Sequence, residues 1–374
     1  MLCLLALPGL AGCGGTYLLQ AARGQWQVMS ERRPIERVLA DPATPGALRR
    51  QLAEIQQARV FASRELGLPD NRSYTTYADV GRPFVVWNVV ATPEFSVEPL
   101  QWCFPVVGCL AYRGYFREAA AREYGERLRA AGHDVALGGV TAYSTLGRFA
   151  DPVLSSMLRY GDLDVIGTLF HELAHQQVYL PGDSSFNEAF AVTVEQEGLA
   201  RWLRARGREA EFEEYRARRE VQVEFVAVLR RSRERLAAEY ARPGLDATTR
   251  RAAKARTLAA LADELRALQQ RLGPRRGAGI GAWLERGLNN AHLASVATYW
   301  DCVAGFEQVL AAQGGRLPDF YAEVRRLAAR PAAARRATLC EGPPERAPEL
   351  GPSPGPATAL APATPSPVAA EGRR

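Results

Sequence analysis

The stretch that decides the fold is 162-DLDVIGTLFHELAHQQVYLPGDSSFNEAFAVTVEQEGLARW-202. At its centre stands His171-Glu172-Leu173-Ala174-His175, an HExxH pattern. Residues four apart on a helix share a face, so His171 and His175 can aim their imidazoles at one point. That supplies two of the three protein ligands a catalytic zinc requires, and Glu172 stands where it can take a proton from metal-bound water. Counting about 100° per residue, Val165, Ile166, Leu169, Phe170, Leu173 and Ala174 form one apolar face. His171 and His175 fall opposite, with Asp164 and Thr168. The plain alternative is a pair of ordinary helix histidines turned to solvent or to interior partners. The Glu between them and the sequence that follows favour a metal.

Pro181-Gly182-Asp183 should stop this helix and turn the chain. A second helix is expected from about Ser185 to Arg204, with Glu188 in its first turn. A helix pair joined by so short a loop can return Glu188 to the two histidines. His, His and Glu with one open position is the ligand set of a hydrolytic zinc site. The competing reading of Glu188 is a capping box, Ser185-x-x-Glu188, in which the carboxylate only caps the helix. Glu195 lies on nearly the same face, two turns further and about 10 Å along the axis. It cannot replace Glu188, and reads either as an outer carboxylate of the site or as a solvated charge.

HELAH at 171–175 followed by NEAFAVTVE at 187–195 resembles the gluzincin metallopeptidases. In the aminopeptidase N-type family an NEGFA-like segment supplies the third zinc ligand, and another Glu commonly follows seven residues on, as Glu195 does here. Over about residues 13–335 the chain resembles more closely a family of bacterial lipoproteins called putative aminopeptidases. That likeness is carried by CFPVVGCLAYRGYF (103–116), the HELAHQ helix and NNAHLASVATY (289–299). The resemblance implies an α+β, mostly helical, thermolysin-like metallopeptidase with a small N-terminal β-sheet, the HExxH helix and a helical C-terminal part. It implies one Zn2+ per chain, held by His171, His175 and Glu188, with Glu172 as general base on a peptide substrate. The sequence departs from the gluzincin pattern in two ways. Only twelve residues separate His175 from Glu188, and no GAMEN-like motif, which holds the substrate's free amine in the aminopeptidase N-type family, is found. Hydrolase chemistry is therefore better supported than aminopeptidase specificity. An envelope endopeptidase and a non-catalytic lipid-anchored scaffold are the other readings.

At 374 residues the chain can hold a large core, in one or two domains. The net charge of +6 arises from Lys and Arg mixed with Glu over helices, which reads as a solvated surface and not as a nucleic-acid site. Residues 2–12 are apolar but too short to span a bilayer, and read as the core of a signal peptide. No basic segment precedes them, so the true start is expected upstream. Leu10-Ala11-Gly12-Cys13 resembles a lipobox, which implies cleavage before Cys13, a lipid on that residue and membrane anchoring. A plain secretory signal cleaved nearby is the alternative. By the lipobox resemblance, Gly14 in place of a retention Asp implies the periplasm-facing side of the outer membrane. With Cys3 in the signal and Cys13 acylated, four cysteines remain for an oxidising compartment. The pairing expected is Cys103–Cys109 around Pro105 and Gly108, and Cys302–Cys340.

Along the chain, 13–30 reads as a lipid-anchored tether or short helix, and 31–340 as the metallopeptidase domain. Helices are expected at 34–39, 45–66 and 116–131, and a β-hairpin from 73–79 and 83–90. A strand with a glycine pair is expected at 135–146. By the gluzincin likeness, Val140–Thr145 would be the edge along which substrate pairs; a buried interior strand is the other reading. Residues 209–241 and 247–272 read as a helical hairpin capped by Asp246, more a scaffold than a partner arm. Further helices fill 280–313. The same likeness offers Tyr299 or His292 as the group that binds the tetrahedral oxyanion, with core packing the competing role for Tyr299. From residue 341 the Pro- and Ala-rich tail is expected to be disordered.

Overall fold

The structure is a computed structural model that describes residues 13–104, 108–159, 161–297 and 302–340. The proposed signal segment, the tail from 341 and Tyr299 lie outside the described residues. The fold is α+β and mostly helical, with small sheets. In the first half, helices α1 (Cys13–Ser30), α2 (Ile35–Ala40), α3 (Gly46–Arg64) and α4 (Glu118–Ala130) alternate with eight strands: β1 (Arg33–Pro34), β2 (Thr76–Ala78), β3 (Val86–Pro93), β4 (Trp102–Phe104), β5 (Gly108–Leu110), β6 (Arg113–Tyr115), β7 (His133–Val140) and β8 (Val153–Leu154). The second half is helical: α5 (Asp162–Gln177), α6 (Ser184–Arg204), α7 (Glu209–Ala241), α8 (Ala247–Arg276), α9 (Ala278–Leu284), α10 (Asn290–Ala297), α11 (Val303–Ala312), α12 (Leu317–Ala328) and α13 (Ala332–Leu339).

The segments 73–79 and 83–90 do not form the expected hairpin. Strand β2 pairs with β1 on one side and, in parallel, with β8 on the other. Both its edges are taken, so β3 enters a separate antiparallel sheet of order β6-β3-β7. The aromatic and β-branched composition marked the strands correctly. Their partners, however, lie as far away as Val153, and Val80 N–H is drawn off to the Ser155 hydroxyl at 2.9 Å.

The second sheet has two unlike faces, because successive side chains alternate. Trp87, Val89, Ala91, Tyr115 and Val135 pack against Ala121 of α4. Val86, Asn88, Val90, Gly114, Gly138 and Val140 face the other way and floor a cleft. Asn88 stands opposite Gly114 on one neighbour and Gly138 on the other, so the floor is lowest on either side of its amide. Strand β7 is shorter than expected and ends at Val140. Residues 141–145 run on without a ladder, and 142–145 line the same cleft.

The largest core joins α3, α5, α6, α11 and α12 around Phe170, Phe190, Trp202, Phe306 and Phe320. A second core lies between α7, α8 and α9, with Leu229, Leu236, Leu261, Leu265 and Trp283. Asp246 caps α8 by accepting Thr249 N–H at 2.7 Å. The disulfides Cys103–Cys109 and Cys302–Cys340 are both formed, the first closing the β4-β5 hairpin.

Candidate metal centre

Helix α5 is buried on every side from Val165 to His175, not only on its apolar face. His171 is 2% exposed and His175 8%, so neither is a surface histidine. The turn that follows is pinned hard. Asn187 accepts Leu180 N–H at 2.7 Å and donates to Leu180 O at 2.8 Å, and Arg335 from α13 donates to Asp183 at 2.8 Å. Asp183, not Ser185, caps α6, accepting Phe186 N–H at 3.2 Å. Glu188 is thereby released from any capping box and points at the histidines.

Two glycines let α5 and α6 approach closely. A Cβ on Gly167 would stand 2.7 Å from Glu195 Oε1 and 3.0 Å from Leu199 Cδ1, and one on Gly198 would stand 2.8 Å from both Phe170 and Leu66. At this distance Glu188 and Glu195 reach His171 from opposite sides. His171 Nε2 is 3.2 Å from Glu188 Oε2, and His171 Nδ1 is 3.1 Å from Glu195 Oε2. His175 Nε2 is 3.7 Å from Glu188 Oε1. One ligand atom each from His171, His175 and Glu188 fall within 4.8 Å of one another. The edge of a tetrahedron with zinc–ligand bonds of 2.0–2.1 Å is about 3.4 Å, so the spacing suits such an ion. These three residues could hold a metal.

Glu195 settles between the readings left open by the sequence: it is 1% exposed and sits behind His171. An ionised carboxylate only accepts, so His171 donates from Nδ1, and with a metal bound its Nε2 lone pair would be the ligand. Buried Arg219 of α7 is near enough for its charge to act on Glu195, and Glu307 of α11 acts on Arg219 in turn. The first helix of the helical hairpin thus contributes to the electrostatics of the site.

The electrostatics favour a cation. Burial works against charge on His171, but its hydrogen bonds to Glu188 and Glu195 and their negative charge win, raising it to about 10. Burial pushes Glu172 up to about 8, and the charge of His171 only partly offsets this. Burial also lifts Glu195, to about 7, against the pull of His171 and Arg219. For His175, burial lowers the ring to about 4, so it stands neutral with a free lone pair. Glu172 is 5% exposed and lines the cleft, the position a proton acceptor needs.

The cleft encloses about 1080 Å³ between α1, the floor of the second sheet, the C-terminal half of α5 and the start of α6. Two residues that sequence reading passed over stand in its wall. Tyr112 is raised above the ordinary phenol range by burial and then by the charge of Glu188, with Tyr179 and Glu172 also felt. Tyr179, beside His175 at 6.3 Å between ring centroids, is raised by burial and by Glu188. Both remain protonated near neutrality and can donate. His292 does not join the group. Its ring lies against Trp283 at 5.4 Å and its Nδ1 is 2.8 Å from Asn289 Oδ1, in the second core. The signal for Tyr112 lay in the 103–116 stretch, but nothing there said that it would face Glu188.

A family model described as "Putative aminopeptidase" matches residues 16–339. No curated protein and no solved structure matches the chain.

Proposed function

The chain belongs to the putative aminopeptidase family, and from that membership we propose that it is a zinc-dependent peptidase of the cell envelope. The observation that carries this reading is the convergence of His171, His175 and Glu188 at ligand spacing on the wall of a large cleft, with Glu172 beside them. His171, His175 and Glu188 would hold the zinc, which would supply a water of near-neutral pKa and a Lewis acid for the substrate carbonyl. Glu172 takes the proton of the attacking water and returns it to the leaving amine. Tyr112 and Tyr179 offer hydroxyl donors to the developing oxyanion, the role considered for Tyr299. Gly114 and Gly138 leave room on the floor for a substrate backbone, and Asn88 offers it an amide. Residues 140–145 are the edge along which an extended peptide would lie. The His-His-Glu set is of gluzincin type, and removal of an amino-terminal residue is the specificity that the family description favours.

Location follows from other features. Leu10-Ala11-Gly12-Cys13 supports lipid attachment at Cys13 and a periplasm-facing place on the outer membrane. The two disulfides fit an oxidising compartment.

The test is Glu172→Gln. Metal analysis should find zinc retained at one per chain, while peptide hydrolysis falls by about 10²- to 10⁴-fold. Unchanged hydrolysis, or a purified chain that takes up no zinc, would sink the proposal.

A further inference from the structure

Among the described residues only six large apolar side chains are exposed, and four of them crowd one place. Leu18, Leu19 and Trp26 are 49%, 70% and 75% exposed on α1, and Phe149 is 52% exposed on the loop after β7. Leu18, Trp26 and Phe149 also line the cleft that holds the metal group, so they form its rim. The other two, Val60 and Val223, lie on α3 and α7.

Neither wall of this rim is loose. Gln20 of α1 donates to Gly114 O and accepts Phe116 N–H, each at 3.3 Å, which fastens α1 to the edge of β6. Gly24 lies so close to Phe116 that a Cβ would stand 2.1 Å from its ring. Gln25 accepts the Tyr143 hydroxyl, and Val28 is 1% exposed. Opposite, Leu146 and Gly147 take left-handed φ values of 55° and 75°, which turn the loop outward. Thr145 Oγ1 accepts Phe149 N–H at 3.1 Å while donating to Asp151 at 2.8 Å, which holds the turn. Four apolar side chains are thus presented on a fixed frame, at a cost in water that a folded chain normally avoids.

We propose that the mouth of the cleft docks on a lipid surface, with Leu18, Leu19, Trp26 and Phe149 entering the interfacial layer. Three features choose a bilayer over a second copy of the chain. Trp26 is the most exposed of the four, and an indole is the side chain that best tolerates the headgroup boundary. Exposed Arg23 and Arg148 stand one on each wall, suited to anionic headgroups, against the single acid Glu31 on the α1 side. Cys13, the residue proposed to carry the lipid, lies in α1, so the anchor itself would bring this wall of the cleft to the bilayer. Docked in this way, the cleft opens towards peptides lying at the membrane surface. That such peptides are its substrates rests on the peptidase reading; vesicle binding is measured without hydrolysis, so the two can fail separately.

The experiment uses the full chain carrying Cys13→Ser, which cannot be acylated there. Co-sedimentation is measured with vesicles of phosphatidylethanolamine and phosphatidylglycerol, and with phosphatidylcholine alone. The chain should bind the anionic vesicles more tightly, and less so at high salt. Phe149→Ser and Trp26→Ser should each weaken binding by about tenfold, and Val60→Ser should leave it unchanged. Phe149 is the discriminating site, being remote in sequence from residues 2–12. If Phe149→Ser keeps its thermal midpoint and binds like the parent, the N-terminal segment alone carries binding and the proposal is overturned. Should that variant fail to fold, brominated lipid decides: it must quench parent fluorescence more than that of Trp26→Phe, and equal quenching overturns the proposal. Self-association without vesicle binding overturns it also.

Discussion

Gly167→Ala sets helix propensity against the metal site. Alanine in a helix interior is worth about 1 kcal/mol over glycine. Here its Cβ would stand 2.7 Å from Glu195 Oε1 and 3.0 Å from Leu199 Cδ1, and Leu199 is wholly buried. Overpacking of this kind costs about 1–3 kcal/mol, so the two effects roughly cancel in the metal-free fold. The cancellation does not extend to the site. Glu195 can escape the new methyl only by moving its carboxylate, and that carboxylate holds His171 Nδ1 at 3.1 Å. Losing such an outer partner costs about 10- to 100-fold in metal affinity. The expected result is a urea midpoint near the parent's in chelator, with zinc affinity 10- to 100-fold weaker by competition against a chromophoric chelator. Glu195→Gln should match it in zinc affinity without the steric change. If Gly167→Ala raises stability by the full propensity gain and binds zinc like the parent, the claim that α5–α6 closeness positions His171 is wrong.

Other outcomes follow from the same geometry. Tyr112→Phe removes one hydroxyl from the wall beside Glu188 and should lower kcat by about 10- to 100-fold with KM little changed; steady-state kinetics on a peptide substrate check this. Burial, helped by the charge of Arg286, lowers His292 to about 4 from 6.5. The unfolded chain therefore binds the proton first, and this contribution is full above about pH 6.5 and lost as pH falls towards 4, a ceiling of about 3 kcal/mol. Urea midpoints of the parent should accordingly fall more steeply over that range than those of His292→Gln; parallel profiles would refute the neutral buried ring. Zinc at about a hundred times its Kd should stabilise the fold by about 2.7 kcal/mol over chelated protein, measurable as a shift in thermal midpoint.

What the sequence made legible was local. The spacing of His171 and His175 needed only the helical repeat, and Pro181-Gly182 announced the turn that brings Glu188 back. The disulfide partners were also readable, because four cysteines leave few pairings. Illegible were features that depend on distant partners. Strands 73–79 and 83–90 had the composition of a hairpin, but β8 and β7, forty or more residues on, claimed them separately. Tyr112 carries no periodic signal and reaches the site only because the β4-β5 hairpin and β6 place it there. Residues 13–30 read as a tether or short helix, and the helix is formed. Its contacts were not legible: Gly24 permits close approach to Phe116, and α1 becomes a wall of the cleft.

The charges around His171 bear on the proposed ion. Glu172, Glu188 and Glu195 all converge within or behind the cleft wall, and Glu172 and Glu195 are almost wholly buried. Set against them are buried Arg219 and His171, whose proton Glu188 and Glu195 hold up to about 10, while His175 stands neutral. Glu307 draws on the same guanidinium. Burial in turn pushes Glu172 up to about 8 and Glu195 to about 7, so without an ion the site keeps protons on groups that the proposed mechanism needs ionised. A divalent cation at the three ligand atoms would take the place of the His171 proton and would favour the charged form of Glu172, as a base working near neutral pH requires. On the zinc reading, the metal set and the base would then be one electrostatic unit.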